Sequence, residues 1–174
     1  MKIALYIAFQ NKSSIDCCKE IIDLISENNQ LVIDSKVKND LDESIRDNFI
    51  FFDSNEQIDS DIDFVFAIGG DGTILRSITY VKDSNIPILG INTGRLGFLT
   101  SVQKEGISNA LSHINNKKFS IIERTILKVN SGNNDTVNYP YALNEITIQR
   151  KDTTSLLNIS CQINDNYLTN YWSD

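Results

Sequence analysis

The sequence predicts an α/β N-terminal domain with a largely parallel sheet, followed by a mostly β, partial second domain. Three observations lead there. Strand-like apolar runs alternate with helix-spaced stretches through residue 118, helical spacing vanishes from Phe119 onward, and a glycine-rich turn, GGDGT, joins the most hydrophobic run to a helix. The predicted domains are therefore residues 1–118, carrying GGDGT, and residues 119–174.

Each element has its own signal. Residues 3–9 are apolar and β-favouring and end in a polar loop, as a strand buried on both faces does. Ile15, Cys18, Ile21, Ile22 and Ile25 recur at helical spacing, with Ser13 or Ser14 as N-cap and Asn28 and Asn29 as the stop. Residues 31–37 read as a second strand, 41–48 as a short polar helix, and 49–52 as a short apolar run. Acids around residues 59–63 precede the strand 64–68. After GGDGT, Ile74, Leu75, Ile78 and Val81 mark a helix, Pro87 opens the strand 88–91, and residues 106–116 form another helix with Ile107, Leu111 and Ile114 on one face. Beyond it, residues 120–129, 141–149, 156–163 and 167–172 are strand-like and separated by SGNND, KDTT and NDN, with no helix among them.

Composition narrows the function. A chain of 174 residues can bury a core without covalent staples. The net charge of -7 is spread along the chain, which argues against a nucleic-acid or anionic-membrane binder, because both need a basic footprint. Three cysteines, two of them adjacent, fit a reducing, cytoplasmic compartment better than a disulfide framework. His113 is the sole histidine, so a His/Cys metal cluster is not expected, and it reads as an exposed helix residue. The short apolar stretch after Lys2 lacks a cleavage site and reads as a strand, and no run approaches the length of a membrane span.

GGDGT can be a tight turn with Asp71 or Thr73 as N-cap. It also lies at the carboxyl end of a buried strand, where open α/β sheets bind ligands, and helix N-terminal amides receive phosphate. It lacks the Lys-Ser/Thr and GxGxxG patterns of the two common phosphate loops. A carboxylate beside phosphate repels it unless it orients a metal or accepts a proton from an attacking hydroxyl. The chemistry indicated is phosphoryl transfer to an alcohol.

GGDGT is shared by NAD kinases and diacylglycerol-type lipid kinases, with a close relative in phosphofructokinases. Two later stretches, NTGRLGFLT at residues 92–100 and LNEITIQR at 143–150, resemble the NAD kinase family in order and content over nearly the whole chain. The resemblance implies transfer from ATP, as its Mg²⁺ or other divalent-cation complex, or from polyphosphate, to the adenosine ribose 2′-hydroxyl of NAD. The product would be NADP. Asp71 would be the general base; Gly70, Gly72 and Thr73 would shape the phosphate loop, and Arg76 would offer donors to phosphate or be a solvated helix charge. Asn144 and Glu145 would hold the adenosine, or be ordinary strand-start residues. A homodimer or homotetramer is implied, because family members build part of the site across subunits.

Gly94 and Gly97 are expected to supply backbone geometry, Arg95 to be exposed or near phosphate, Phe98 and Leu99 to be core, and Tyr171 and Trp172 to pack within the β domain. The family's TPTGSTAY-type stretch is absent. Asp174, which the resemblance puts on the nicotinamide side of the ligand, stands where the stretch would begin, so the expectation is a fragment. A diacylglycerol-type lipid kinase and a non-catalytic nucleotide-binding module are the alternatives.

Overall fold

The computed structural model describes residues 1–25, 29–53, 58, 61–95, 97–132, 140–150 and 156–173. They belong to two units, Met1–Asn144 and Glu145–Asp174. In the first, strands β1 (Lys2–Ile7), β2 (Gln30–Asp34), β3 (Ile50–Phe52), β4 (Phe64–Gly69), β5 (Ile88–Asn92) and β6 (Val102–Gln103) form one six-stranded sheet in the order β3-β2-β1-β4-β5-β6. Every neighbouring pair in that sheet is parallel.

Alternation along β1 explains why it reads as an unbroken apolar run. Ile3, Leu5 and Ile7 pack with Cys17, Cys18 and Ile21 of helix α1 (Lys12–Leu24) and with Ile107, Leu111 and Ile114 of helix α4 (Ile107–Asn115). Ala4 and Tyr6 face the other way, into a cluster with Ile74 and Val81 of helix α3 (Asp71–Val81). Right-handed crossovers that leave β1 and β4 in opposite lateral directions put their helices on opposite faces. Fully buried side chains such as Ile21 each contribute about 1.5–3 kcal/mol of transfer free energy. Burial also pushes the Cys17 thiol up to about 12, so it serves here as a small apolar core residue.

The elements differ from the sequence pattern where side chains compete for the backbone. The N-cap of α1 is Asn11, whose Oδ1 accepts the Ser14 N–H at 3.0 Å, while the Ser14 hydroxyl turns back to donate to the Phe9 carbonyl. That helix ends at Leu24; Asn28, half of the expected stop, lies outside the described residues. The expected strand 31–37 stops at Asp34, because that carboxylate accepts the Lys36 N–H at 3.1 Å and opens a 3₁₀ turn, Ser35–Asp40. The polar stretch that follows supplies α2 (Glu43–Arg46). β6 went unpredicted because two residues carry no periodicity.

Pairing also limits the later strands of this unit. β7 (Leu127–Lys128) pairs antiparallel with β8 (Tyr141–Ala142), whereas residues 120–126 and 143–149, also strand-like in sequence, have no strand structure. A strand needs a neighbour for its amides, and those residues have none among the described ones. In the second unit, β9 (Leu157–Ile163) and β10 (Asn166–Ser173) form an antiparallel hairpin. Its turn, Asn164 and Asp165, has positive φ at both positions, as a type I′ turn requires. Tyr171 and Trp172 are exposed on this two-stranded ribbon, contrary to the packing role expected, because among the described residues it carries no second layer.

Candidate functional site

The strand order reverses direction between β1 and β4. Ligands of open α/β sheets bind outside the carboxyl ends of the strands at such a switch point. A cleft of ≈ 140 Å³ lies there, with Phe9, Asn11, Gly70, Thr73, Thr93 and Arg95 among its walls. That volume suits a phosphate chain rather than a whole dinucleotide.

Helix α3 starts at the cleft. Its N-cap is Gly70 and not Asp71 or Thr73, so no side-chain oxygen caps its first amides. Gly69 precedes it at φ 154°, where a side chain is strained, and an added Cβ would overlap the Thr73 hydroxyl. Thr73 is buried and its N–H donates to the Gly70 carbonyl at 2.9 Å. Gly72, the second helical residue, is exposed with open space around it and is not part of the cleft wall. Arg76 lies one turn further on, its guanidinium 4.7 Å from the centre of the Phe9 ring, an arrangement that fixes a cation beside the cleft. Arg95 is both exposed and on the cleft wall.

Asp71 is half-buried at the first position of α3 and is gripped by another part of the chain. Its Oδ2 accepts the Phe98 N–H at 2.7 Å, and its Oδ1 accepts the Leu99 N–H at 2.9 Å and the Thr100 N–H at 3.2 Å. These amides, Phe98 first, hold its carboxyl below the usual aspartate range, with partial burial opposing them. Gly97 permits the grip, since an added Cβ there would overlap the carboxylate. Phe98 is 98% exposed, which corrects its expected core role; the backbone turn that aims its N–H at Asp71 sends its ring to solvent. Leu99 does pack against the α3-side cluster.

Gly70 and Thr73 are thus on the cleft wall, Arg76 stands on the wall residue Phe9, and Asp71, which follows Gly70, is not itself a wall residue. Asn144 is exposed in the bend after β8 and is not on the cleft wall. Glu145 is exposed in the second unit, and Asp174 lies outside the described residues. Asn92, Thr93 and the amides of residues 98–100 were not singled out from sequence. The available signal was that NTGRLGFLT starts at a strand's carboxyl end, as GGDGT does. Among the described residues there is no group of three or more His, Cys, Asp or Glu able to hold a metal, and no helix long and apolar enough to cross a membrane.

The family described as ATP-NAD kinase N-terminal domain matches residues 7–119. The chain is 39% identical over 182 residues to an NAD kinase of Christiangramia forsetii and 40% identical over 179 residues to one of Flavobacterium psychrophilum. In both cases all of this chain is covered, and it spans 61% of the relative's length. Among solved structures, yeast NADH kinase complexed with NADH has a TM-score of 0.77 at 19% identity, over 100% of this chain and 52% of that one. An NAD kinase from Archaeoglobus fulgidus in complex with ATP has a TM-score of 0.66 at 22% identity, over 99% and 57% of the two chains.

Proposed function

Because the chain belongs to the ATP-NAD kinase family, we propose that it forms the phosphoryl-transfer half of an enzyme that converts NAD and ATP to NADP and ADP. The observation that carries the reading is the Asp71 carboxylate, fixed at a parallel sheet's switch point beside a glycine-capped helix N-terminus. The ribose 2′-oxygen attacks the terminal phosphorus of ATP, the bond from that phosphorus to its bridging oxygen breaks, and the hydroxyl proton passes to Asp71.

The hydrogen bonds favour Oδ2 as the accepting atom. A carboxylate oxygen has two lone-pair sites. Oδ1 takes two amides and is full; Oδ2 takes one and has one site left for the substrate proton. A carboxylate that already accepts three amides is a weak base, which suits a loose transition state in which the alcohol becomes acidic only as its bond to phosphorus forms. The free amides at the start of α3, shaped by Gly70, Gly72 and Thr73, and the Arg76 guanidinium supply donors to phosphate in an otherwise acidic protein.

ATP arrives as a divalent-cation complex, with Mg²⁺ the expected ion. Such an ion keeps water and phosphate oxygens as most of its ligands, which agrees with a cleft whose walls carry no carboxylate. We place Asn144, Glu145 and Asp174 at the dinucleotide, in line with the family resemblance. Residues 1–118 would be the α/β domain and 119–174 the start of the β domain. A cytoplasmic homodimer or homotetramer is the expected assembly.

The test supplies full-length protein with NAD, Mg²⁺ and either ATP or polyphosphate, and follows NADP by a coupled dehydrogenase. NADP formation with ATP supports the reading, and formation with polyphosphate alone would change the donor. Phosphorylation of a lipid alcohol without NADP formation would overturn it.

A further inference from the structure

One buried side chain closes the loop that holds Asp71. Asn92, the last residue of β5, is 1% exposed. Its Oδ1 accepts the Gly94 N–H at 2.7 Å, while its Nδ2 donates to the Arg95 carbonyl at 2.8 Å and to the Thr100 hydroxyl at 3.1 Å. A donor on one side and two acceptors on the other fix the orientation of the amide. Both of its N–H groups are spent on opposite ends of the same loop.

That loop has two working parts. Thr93, Gly94 and Arg95 wall the cleft, and residues 98–100 present three amides to Asp71. Thr100 is held from both directions, its hydroxyl by Asn92 and its N–H by Asp71 Oδ1. Backbone bonds tie down the loop's flanks, Thr93 N–H to the Gly69 carbonyl at 3.3 Å and Ser101 N–H to the Gly90 carbonyl at 3.0 Å. Between those flanks, Asn92 is a side chain that bonds both Gly94–Arg95 and Thr100.

We propose that Asn92 is a positioning residue for Asp71: its carboxamide holds Gly94, Arg95 and Thr100 so that the amides of residues 98–100 are delivered to the carboxylate. The placement itself rests on geometry, and its catalytic consequence rests on the reading of Asp71 as proton acceptor. The charged side chains nearby do not substitute for the amides. Arg76 is turned onto the Phe9 ring and Arg95 is exposed on the cleft wall. The groups acting on the Asp71 carboxyl are the three amides and its partial burial.

The experiment compares full-length wild type with Asn92→Ala and Asn92→Asp, measuring steady-state NADP formation and the titration of Asp71 by carboxyl ¹³C NMR. The Asp71 signal is assigned by its loss in Asp71→Asn. Asn92→Asp keeps the shape and the acceptor for Gly94 but puts an oxygen against the Arg95 carbonyl. In both variants the Asp71 titration should move up into the ordinary aspartate range, and kcat should fall about tenfold or more, by a larger factor than KM rises. Where either fails to fold, Thr100→Val, which removes only the hydroxyl acceptor, should move the titration in the same direction by less. A folded Asn92→Ala, or Thr100→Val in its place, with Asp71 titrating as in wild type overturns the proposal. A shifted titration in a protein that never forms NADP upholds the positioning and removes the kinase reading instead.

Discussion

The N–H of Phe98 donates at 2.7 Å to Oδ2 of Asp71, across 27 residues of sequence, while the Phe98 ring stands 98% exposed. One residue therefore binds the site through its backbone and leaves its side chain outside. This bond, with those from Leu99 and Thr100, makes Asp71 an oriented carboxylate.

Replacing Asp71 with Asn keeps the shape but removes the proton acceptor. General-base losses are typically about 10²–10⁴-fold, and kcat should fall in that range with little change in KM for NAD. Initial-rate kinetics of NADP formation in the full-length protein measure it, and a variant as active as wild type would rule out the base assignment.

Gly97→Ala places a methyl group where the Asp71 carboxylate sits. Overpacking of this kind costs about 1–3 kcal/mol, so the variant should melt at lower temperature and lose at least tenfold in kcat. Thermal denaturation followed by circular dichroism, alongside the kinetics, separates this from a purely structural loss: Gly106→Ala, whose added methyl would meet only Val102 at 3.4 Å, should retain wild-type kcat.

The glycines of GGDGT should divide by position. Gly69→Ala forces a side chain into φ 154° and against Thr73, a strain of order 1–3 kcal/mol, and should destabilise. Gly72→Ala, in the first turn of α3 with open space around it, should stabilise by about 0.5–1 kcal/mol. If Gly72 faces phosphate, that same substitution raises KM for ATP. Chemical denaturation and ATP titration of the two variants test both halves.

Arg76→Ala removes the cation held over Phe9 and should raise KM for ATP several-fold more than KM for NAD. A charge that merely rides on the helix surface would leave both constants unchanged, which substrate titrations would detect.

The Asp71 carboxyl is lowered by its amides. Its folded-state pKa is thus below its unfolded value of about 4, so its contribution to stability is fully present above that value and is lost as pH falls through the lower, folded one. Asp71→Asn should therefore flatten the acid limb of the stability curve below about pH 4 and leave its slope near neutrality unchanged. Urea denaturation at a series of pH values reads this directly.

Local patterns in the chain suffice for the alternation that places α1 and α3 on a parallel sheet, the carboxyl-end position of GGDGT, and the Asn164–Asp165 turn. Each is a local pattern of apolar spacing or turn chemistry, readable within about a dozen residues. What Asp71 and Asn92 touch is set by long-range packing. Their partners come from the segment after β5, and it is the pairing of β4 with β5 that brings the two strand ends side by side. Periodicity reports whether a residue faces the core, and for that reason it misread Phe98, whose backbone rather than its ring is engaged. The strands expected at 120–129 and 141–149 likewise pair, among the described residues, only at Leu127–Lys128 and Tyr141–Ala142, because β-favouring residues prepare a strand but a neighbouring segment must supply its hydrogen bonds.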